Sequence, residues 1–207
     1  MLLPPAEDAA AWFVETARAA VASGEPLDAE AVQLLMALVP EDPIVSAAID
    51  AVAAEPESLA GYAREAAIRL REAAAARDEH AAREIVTSLE LEVLRLYRPS
   101  QGLASFENDV AVALAMLAAY DVGADEAHLM MAEELMLGVI RREWPERTQH
   151  DLAANCEAAV ALSALAVHTG KPEYRERALE VMHGYAATYR DHGVGAAPYI
   201  SALQVIS

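Results

Sequence analysis

The stretch AVALAMLAAYDVGADEAHLMMAEELMLG (residues 111–138) is answered 46 residues later by EAAVALSALAVHTGKPEYRERALEVMHG (157–184), and the pair decides the fold. Ala113/Ala159, Ala115/Ala161, Ala118/Ala164, Ala132/Ala178, Glu134/Glu180, Met136/Met182 and Gly138/Gly184 coincide. Four matches are alanine on alanine, which this composition makes common, so the weight rests on the shared plan. Each copy reads as a small-apolar helix, a polar turn containing glycine, and a second amphipathic helix. A unit of that kind cannot bury its apolar face alone and has to stack on neighbours, which predicts a helical-hairpin array.

Working outward, apolar residues recur at helical spacing almost everywhere, and no stretch alternates with period two. The chain is therefore expected to be all-α with about ten helices. Punctuation places them near 6–23, 28–38, 43–54, 57–77, 79–97, 106–121, 126–143, 150–168, 172–191 and 197–206. Ser23-Gly24-Glu25-Pro26 stops the first, Asp28 caps the second, and Pro43 follows Asp42 as a first-turn proline. On the fourth, Tyr62, Ala66, Ile68, Leu70 and Ala73 are predicted to form the apolar side. Arg98-Pro99-Ser100-Gln101-Gly102 is the clearest interior loop, of ordinary length for a helix connection. One all-α domain over 1–207 is expected, with N-terminal helices in 1–97 and the repeated hairpins plus a terminal helix in 103–207.

The 207 residues are 55 % hydrophobic, enough for a sizeable core, yet only 5 % aromatic, so that core must be built from alanine, leucine and valine. Thirty-three acidic against 15 basic residues give a net charge of −18, which repels nucleic acid and anionic membranes. Solubility is the ordinary reading of such acidity, and a dedicated cationic partner is the other. The single cysteine, Cys156, excludes an internal disulfide and sits among Ala and Val, as a buried inert thiol would. MLLPPAEDAAAWFVETARAAV lacks a basic leader and carries acids inside its apolar run, unlike a signal peptide or membrane span, so a cytoplasmic protein is expected.

The segment 151–204 resembles the last hairpin of six-hairpin (α/α) toroids. The resemblance lies in Asn155 opening a helix, in Ala158, Ala159, Leu162 and Leu165, in Thr169-Gly170-Lys171-Pro172-Glu173-Tyr174, and in Arg175-Glu176-Arg177-Ala178. It is closest to the helical region of bacterial thioredoxin-domain-containing proteins, which is similar to N-acylglucosamine 2-epimerase and glycosidase toroids. Residues 106–144 resemble the preceding hairpin, so the match runs over about 106–204. The chain has room for about five helix pairs, and the resemblance implies a partial toroid with ligand clefts at the ends of the inner helices.

At those ends the repeat aligns Asp109 with Asn155. Glu107, Asn108, His150, Asp151 and Glu157 lie close by in sequence. Paired carboxylates suit acid–base work on a sugar, which makes Asp109, Glu107, Asp151 and Glu157 the catalytic candidates and Asn108, Asn155 and His150 the ligand-binding ones. The competing reading of Asp109 and Asn155 is helix capping. Capping also accounts for Asp78-Glu79-His80 and Asp125-Glu126-Ala127-His128.

Glu180-Val181-Met182-His183 is a lone Glu-x-x-His. Its repeat counterpart offers Glu134 and Leu137, so a dinuclear metal site lacks its second motif and no metal or other cofactor is expected. Trp12, Phe13, Trp144, Tyr174, Tyr185, Tyr189 and Tyr199 read as packing residues, although aromatic platforms also bind sugars. No phosphate loop, Ser/His/Asp signature or HExxH occurs.

The leading expectation is a non-catalytic helical-repeat module that binds a protein or ligand. A carbohydrate-active enzyme of toroid type is the alternative. A tetratricopeptide-like scaffold fits poorly, since its period is about 34 residues. Homodimerisation is expected, with Trp12, Phe13 and Val14 covering an open apolar edge.

Overall fold

The computed structural model describes residues 2–50, 58–99, 101–142 and 152–206. Among these are ten α-helices and no strand. In order they are α1 (Ala6–Ser23), α2 (Ala29–Leu38), α3 (Pro43–Asp50), α4 (Leu59–Ala76), α5 (Glu79–Leu96), α6 (Phe106–Gly123), α7 (Glu126–Arg142), α8 (Leu152–Thr169), α9 (Pro172–Tyr185) and α10 (Ala197–Ile206). A 3-10 segment, Tyr189–Ala196, links the last two. The chain is all-α, as its periodicity predicts.

Local chemistry sets the helix ends. Asp28, Ser58, Asp78 and Ser105 each stand in front of a helix and accept backbone N–H groups from its first turn, satisfying donors that the helix itself cannot. Gly24 closes α1 in a left-handed conformation (φ 76°), and Glu25 N–H returns to the Ala20 carbonyl at 3.0 Å. Glycine is the residue that adopts this conformation without a Cβ penalty.

Two compact units make up the chain. The first combines Met1–Glu55, Asp151–Ala159 and Glu176–Ser207, and the second Pro56–His150 and Val160–Arg175. The Arg98–Gly102 loop therefore lies inside the second unit.

In the second unit α6 is the central element, packed against α4, α5 and α7. Val110 to Ala113 and Ala115 to Ala119 are buried around its whole circumference, the pattern of a helix enclosed on all sides. On α4 the buried line is Ala60, Ala63, Ala66, Ala67, Leu70 and Ala73. This departs from the predicted face, for Tyr62 and Ile68 are only half-buried. Interaxial distance follows the size of the side chains in contact, so an alanine line on α4 lets it approach the alanine-rich α6 and pushes the bulkier residues to the margin.

The core of the first unit includes Phe13, Leu27, Leu35, Tyr199 and Ile200, each fully buried. Here α10 packs on α1 and α2. Tyr189 stacks on Tyr199 with centroids 4.7 Å apart and meets Trp12 edge-on at 5.4 Å, the geometries that ring quadrupoles favour. Trp12 and Phe13 thus pack within their own unit.

Sequence punctuation carries α9 to about 191, but it ends at Tyr185, and Gly193 (φ 56°, ψ −128°) bends the 3-10 segment that follows. The gain is the placement of Tyr189, which is buried against Tyr199. By length and composition α8 is apolar enough to cross a membrane, yet over half of its residues are buried in protein.

Candidate functional site

The polar residues singled out at the start of α6 belong to a tight corner. After Tyr97, Arg98 and Gly102 pair in both directions: Arg98 N–H donates to the Gly102 carbonyl at 2.9 Å and Gly102 N–H to the Arg98 carbonyl at 2.7 Å. Gly102 (φ 65°) and Ala104 (φ 72°) are both left-handed, turning Leu103 into the core between them.

Asp109 lies beneath this corner with no solvent exposure. Its Oδ1 accepts the Leu103 N–H at 2.7 Å, and its Oδ2 is ion-paired with the Arg142 guanidinium. A Cβ on Gly102 would stand 2.5 Å from Asp109 Oδ1 and 2.8 Å from Arg142 Nη2, and one on Gly138 would stand 3.2 Å from Arg142 Nη1. Two glycines therefore make room for one ion pair, whose carboxylate is buried and whose guanidinium is partly exposed.

The other expected site residues are engaged as well. Asn108 Nδ2 donates to the Leu103 carbonyl at 3.1 Å, and Glu107 meets Arg64 at 3.1 Å. Asn155 is 1 % exposed and donates to the Tyr185 hydroxyl at 2.9 Å. Glu157 is half-buried on α8. His150 and Asp151 lie outside the described residues, as does Trp144. Asp109, Glu107 and Asn108 fall in the second unit, and Asn155 and Glu157 in the first.

Capping is not the role of Asp109, because Ser105 occupies the cap position and accepts Asn108 N–H at 3.1 Å. Nor does Asn155 open its helix; α8 begins at Leu152. Both are fourth residues of their helices, with side chains buried in the body of the protein. At Asp78 and Asp125 capping holds: Asp78 accepts from Ala81 N–H at 3.0 Å and Asp125 from Ala127 N–H at 2.9 Å.

Beside the corner is a cleft of about 340 Å³, lined by Tyr97, Pro99, Gly102, Glu134, Leu135, Gly138, Arg141 and Arg142. Burial, then the carboxylates of Glu134 and Asp109, push the Tyr97 hydroxyl above its ordinary pKa, so it is a neutral hydrogen-bonding group. Arg141 reaches Glu134 at 3.4 Å, and Arg142 is held by Asp109. The cleft therefore presents charge already balanced within the fold.

A wider groove of about 640 Å³ between α4 and α5 has the same character, with Arg69 facing Glu65 at 3.9 Å and His80 facing Glu84 at 3.6 Å. Tyr97, Glu134 and Arg142 were not legible as site residues. Arg142 offers only the ordinary signal of a cation in the last turn of a helix.

Two further polar clusters lie elsewhere in the second unit. His128 is buried at the start of α7, with Nε2 2.8 Å from Glu90 Oε1 and Nδ1 lacking a hydrogen-bond partner. Glu133 accepts the Tyr174 hydroxyl at 2.5 Å and the Lys171 ammonium. Burial raises its pKa, but the hydrogen bonds from Lys171 and Tyr174 outweigh that and hold it below the usual carboxylate range.

Glu180 and His183 are both exposed on α9. Among the described residues no three His, Cys, Asp or Glu side chains come together as a metal site. Cys156 is fully buried. No protein-family model, curated protein or solved structure matches this chain.

Proposed function

We propose that the chain is a non-catalytic helical-hairpin module that binds a protein or ligand. The observation that carries this reading is the engagement of Asp109. One of its oxygens accepts a backbone N–H and the other a guanidinium, and the side chain has no exposure through which to meet a substrate. A general acid or base has to come within hydrogen-bond reach of the proton it transfers. Glu107 is exposed at the surface, where it is ion-paired with Arg64, so of these two carboxylates it is Asp109 that supports the fold. The resemblance to (α/α) toroids is part of the same proposal, and concerns packing.

The test is to incubate the full chain with N-acyl hexosamines and with aryl glycosides. No turnover is expected, and a Glu157→Gln variant should behave like the parent. Sugar epimerisation or hydrolysis that Glu157→Gln or Asp109→Asn abolishes, in a variant that remains folded, would overturn the reading in favour of a carbohydrate-active enzyme.

A further inference from the structure

Along α7, Glu134, Gly138 and Arg142 follow one another at intervals of four residues and so share one side of the helix. All three line the cleft of about 340 Å³ beside the corner. The glycine between the two charged side chains is what leaves the space. Nη1, Nη2 and Cζ of Arg142 lie across it, 3.2 to 3.5 Å from where a Cβ would stand. The guanidinium is thus folded back by one helical turn, about 6 Å along the axis, in the direction of Glu134.

Three groups of this cleft have hydrogen-bonding capacity left over. Arg142 gives Nη2 to Asp109, and among the described residues no second acceptor meets its other nitrogens, which also carry N–H donors. The Tyr97 hydroxyl has no hydrogen-bond partner among the described residues. It stands within the field of every charge of the cleft: burial raises its pKa most, Glu134 and Asp109 raise it further, and Arg142 and Arg141 pull it down. Glu134 has only its pairing with Arg141, at 3.4 Å between side chains 47 % and 64 % exposed. An exposed pair of that kind is weak and exchanges readily for another partner.

We propose that this cleft binds a free amino acid with an apolar side chain, in its zwitterionic form. The proposal rests on the binding-module reading and names its ligand class. The ligand carboxylate takes the remaining N–H groups of Arg142 and the Tyr97 hydroxyl, its ammonium takes Glu134, and its side chain lies beside Pro99 and Leu135, which also line the cleft. Charge selects this occupant over others. A lone carboxylate would meet Arg142 but add to the charge of Glu134 and Asp109 in a chain of net charge −18. A lone ammonium would meet Glu134 but also both guanidiniums. A zwitterion leaves the balance of the cleft unchanged.

The test titrates the full chain with L-leucine and with two matched probes, isocaproate, which is leucine without its amino group, and isopentylamine, which is leucine without its carboxyl group. Calorimetry should show saturable binding of L-leucine, with each probe weaker by about tenfold or more. Glu134→Gln should weaken L-leucine by about tenfold and leave isocaproate no weaker than before. Tyr97→Phe should weaken L-leucine and isocaproate and leave isopentylamine unchanged. Glu134 is exposed, so its variant should retain the parent melting temperature to within a few degrees.

Isocaproate binding as tightly as L-leucine would make the cleft a site for plain carboxylates and overturn the proposal. Unchanged L-leucine binding by Glu134→Gln would overturn it too, as would the absence of L-leucine binding up to about 50 mM. Absence of L-leucine binding together with absence of sugar turnover would remove this inference alone, whereas turnover would remove the module reading beneath it.

Discussion

Asp109 and Asn155, 46 residues apart, are each the fourth residue of an alanine-rich helix, each buried, and each bonded to a residue at the end of the helix that follows. Asp109 grips Arg142, the last residue of α7, and Asn155 grips Tyr185, the last residue of α9. Both helix pairs thus carry a polar clasp, ionic in one and neutral in the other, although Arg142 and Tyr185 are 43 residues apart and do not follow the 46-residue offset of Asp109 and Asn155. A neutral hydrogen bond is the weaker element, and a buried ion pair is the more damaging to break.

Asp109→Ala should therefore destabilise the protein by about 3 kcal/mol, because it strands the partly buried Arg142 cation and the Leu103 N–H. Tyr185→Phe should cost about 1 kcal/mol. Urea unfolding of both variants checks the ranking, and equal losses would contradict it.

Gly24→Ala and Gly102→Ala separate backbone strain from crowding. Both positions are left-handed, but nothing stands within 4 Å of a Cβ at Gly24, whereas Asp109 and Arg142 stand inside 3 Å of one at Gly102. About 1 kcal/mol is expected for the first. A loss of about 3 kcal/mol or more is expected for the second, since the carboxylate and guanidinium must also separate. Thermal melts of the two variants read the difference directly.

Glu133 gives an acid-side signature. Its folded pKa is depressed, so its contribution to stability is complete above the unfolded glutamate value of about 4.3 and is lost as pH falls through the folded value. The parent should be more stable than Glu133→Gln at pH 6, and the gap should narrow below about pH 4. Melting temperatures of the pair between those limits provide the test.

Tyr199 gives the opposite signature. Burial foremost, with smaller effects from Cys156 and Tyr189, pushes its hydroxyl well above the ordinary range. A raised folded pKa means that stability is intact below about pH 10 and falls as pH rises toward the folded value. In an ultraviolet titration, Tyr199→Phe should remove a phenol that ionises only as the protein unfolds. If the phenol lost instead titrates reversibly near pH 10 in the folded protein, the buried placement is wrong.

Helix positions were legible because caps and stops are local. Asp28, Asp42-Pro43, Asp78 and Ser23-Gly24 act on the turn beside them, and they locate α1, α2, α3 and α5 closely. The clasp was not legible, because Arg142 is 33 residues from Asp109 and nothing local distinguishes it from a helix-ending cation. Ser105 was overlooked as a cap because Asp109, a residue of similar chemistry, stands one turn further on. The face of α4 was misjudged for another reason. Hydrophobic weight favours Tyr62 and Ile68, whereas the partner helix selects the alanines.

One unit is assembled from segments far apart in sequence, since α10 packs on α1 and α2. During synthesis the first 55 residues leave the ribosome long before Glu176–Ser207 exist to complete their core. At ordinary elongation rates the wait is on the order of ten seconds. For that interval Phe13, Leu27 and Leu35 lack their final covering, and the excess of carboxylates in the segment keeps nascent neighbours apart by repulsion. Acidity in this segment thus has a kinetic use, protecting a half-built core until α10 arrives.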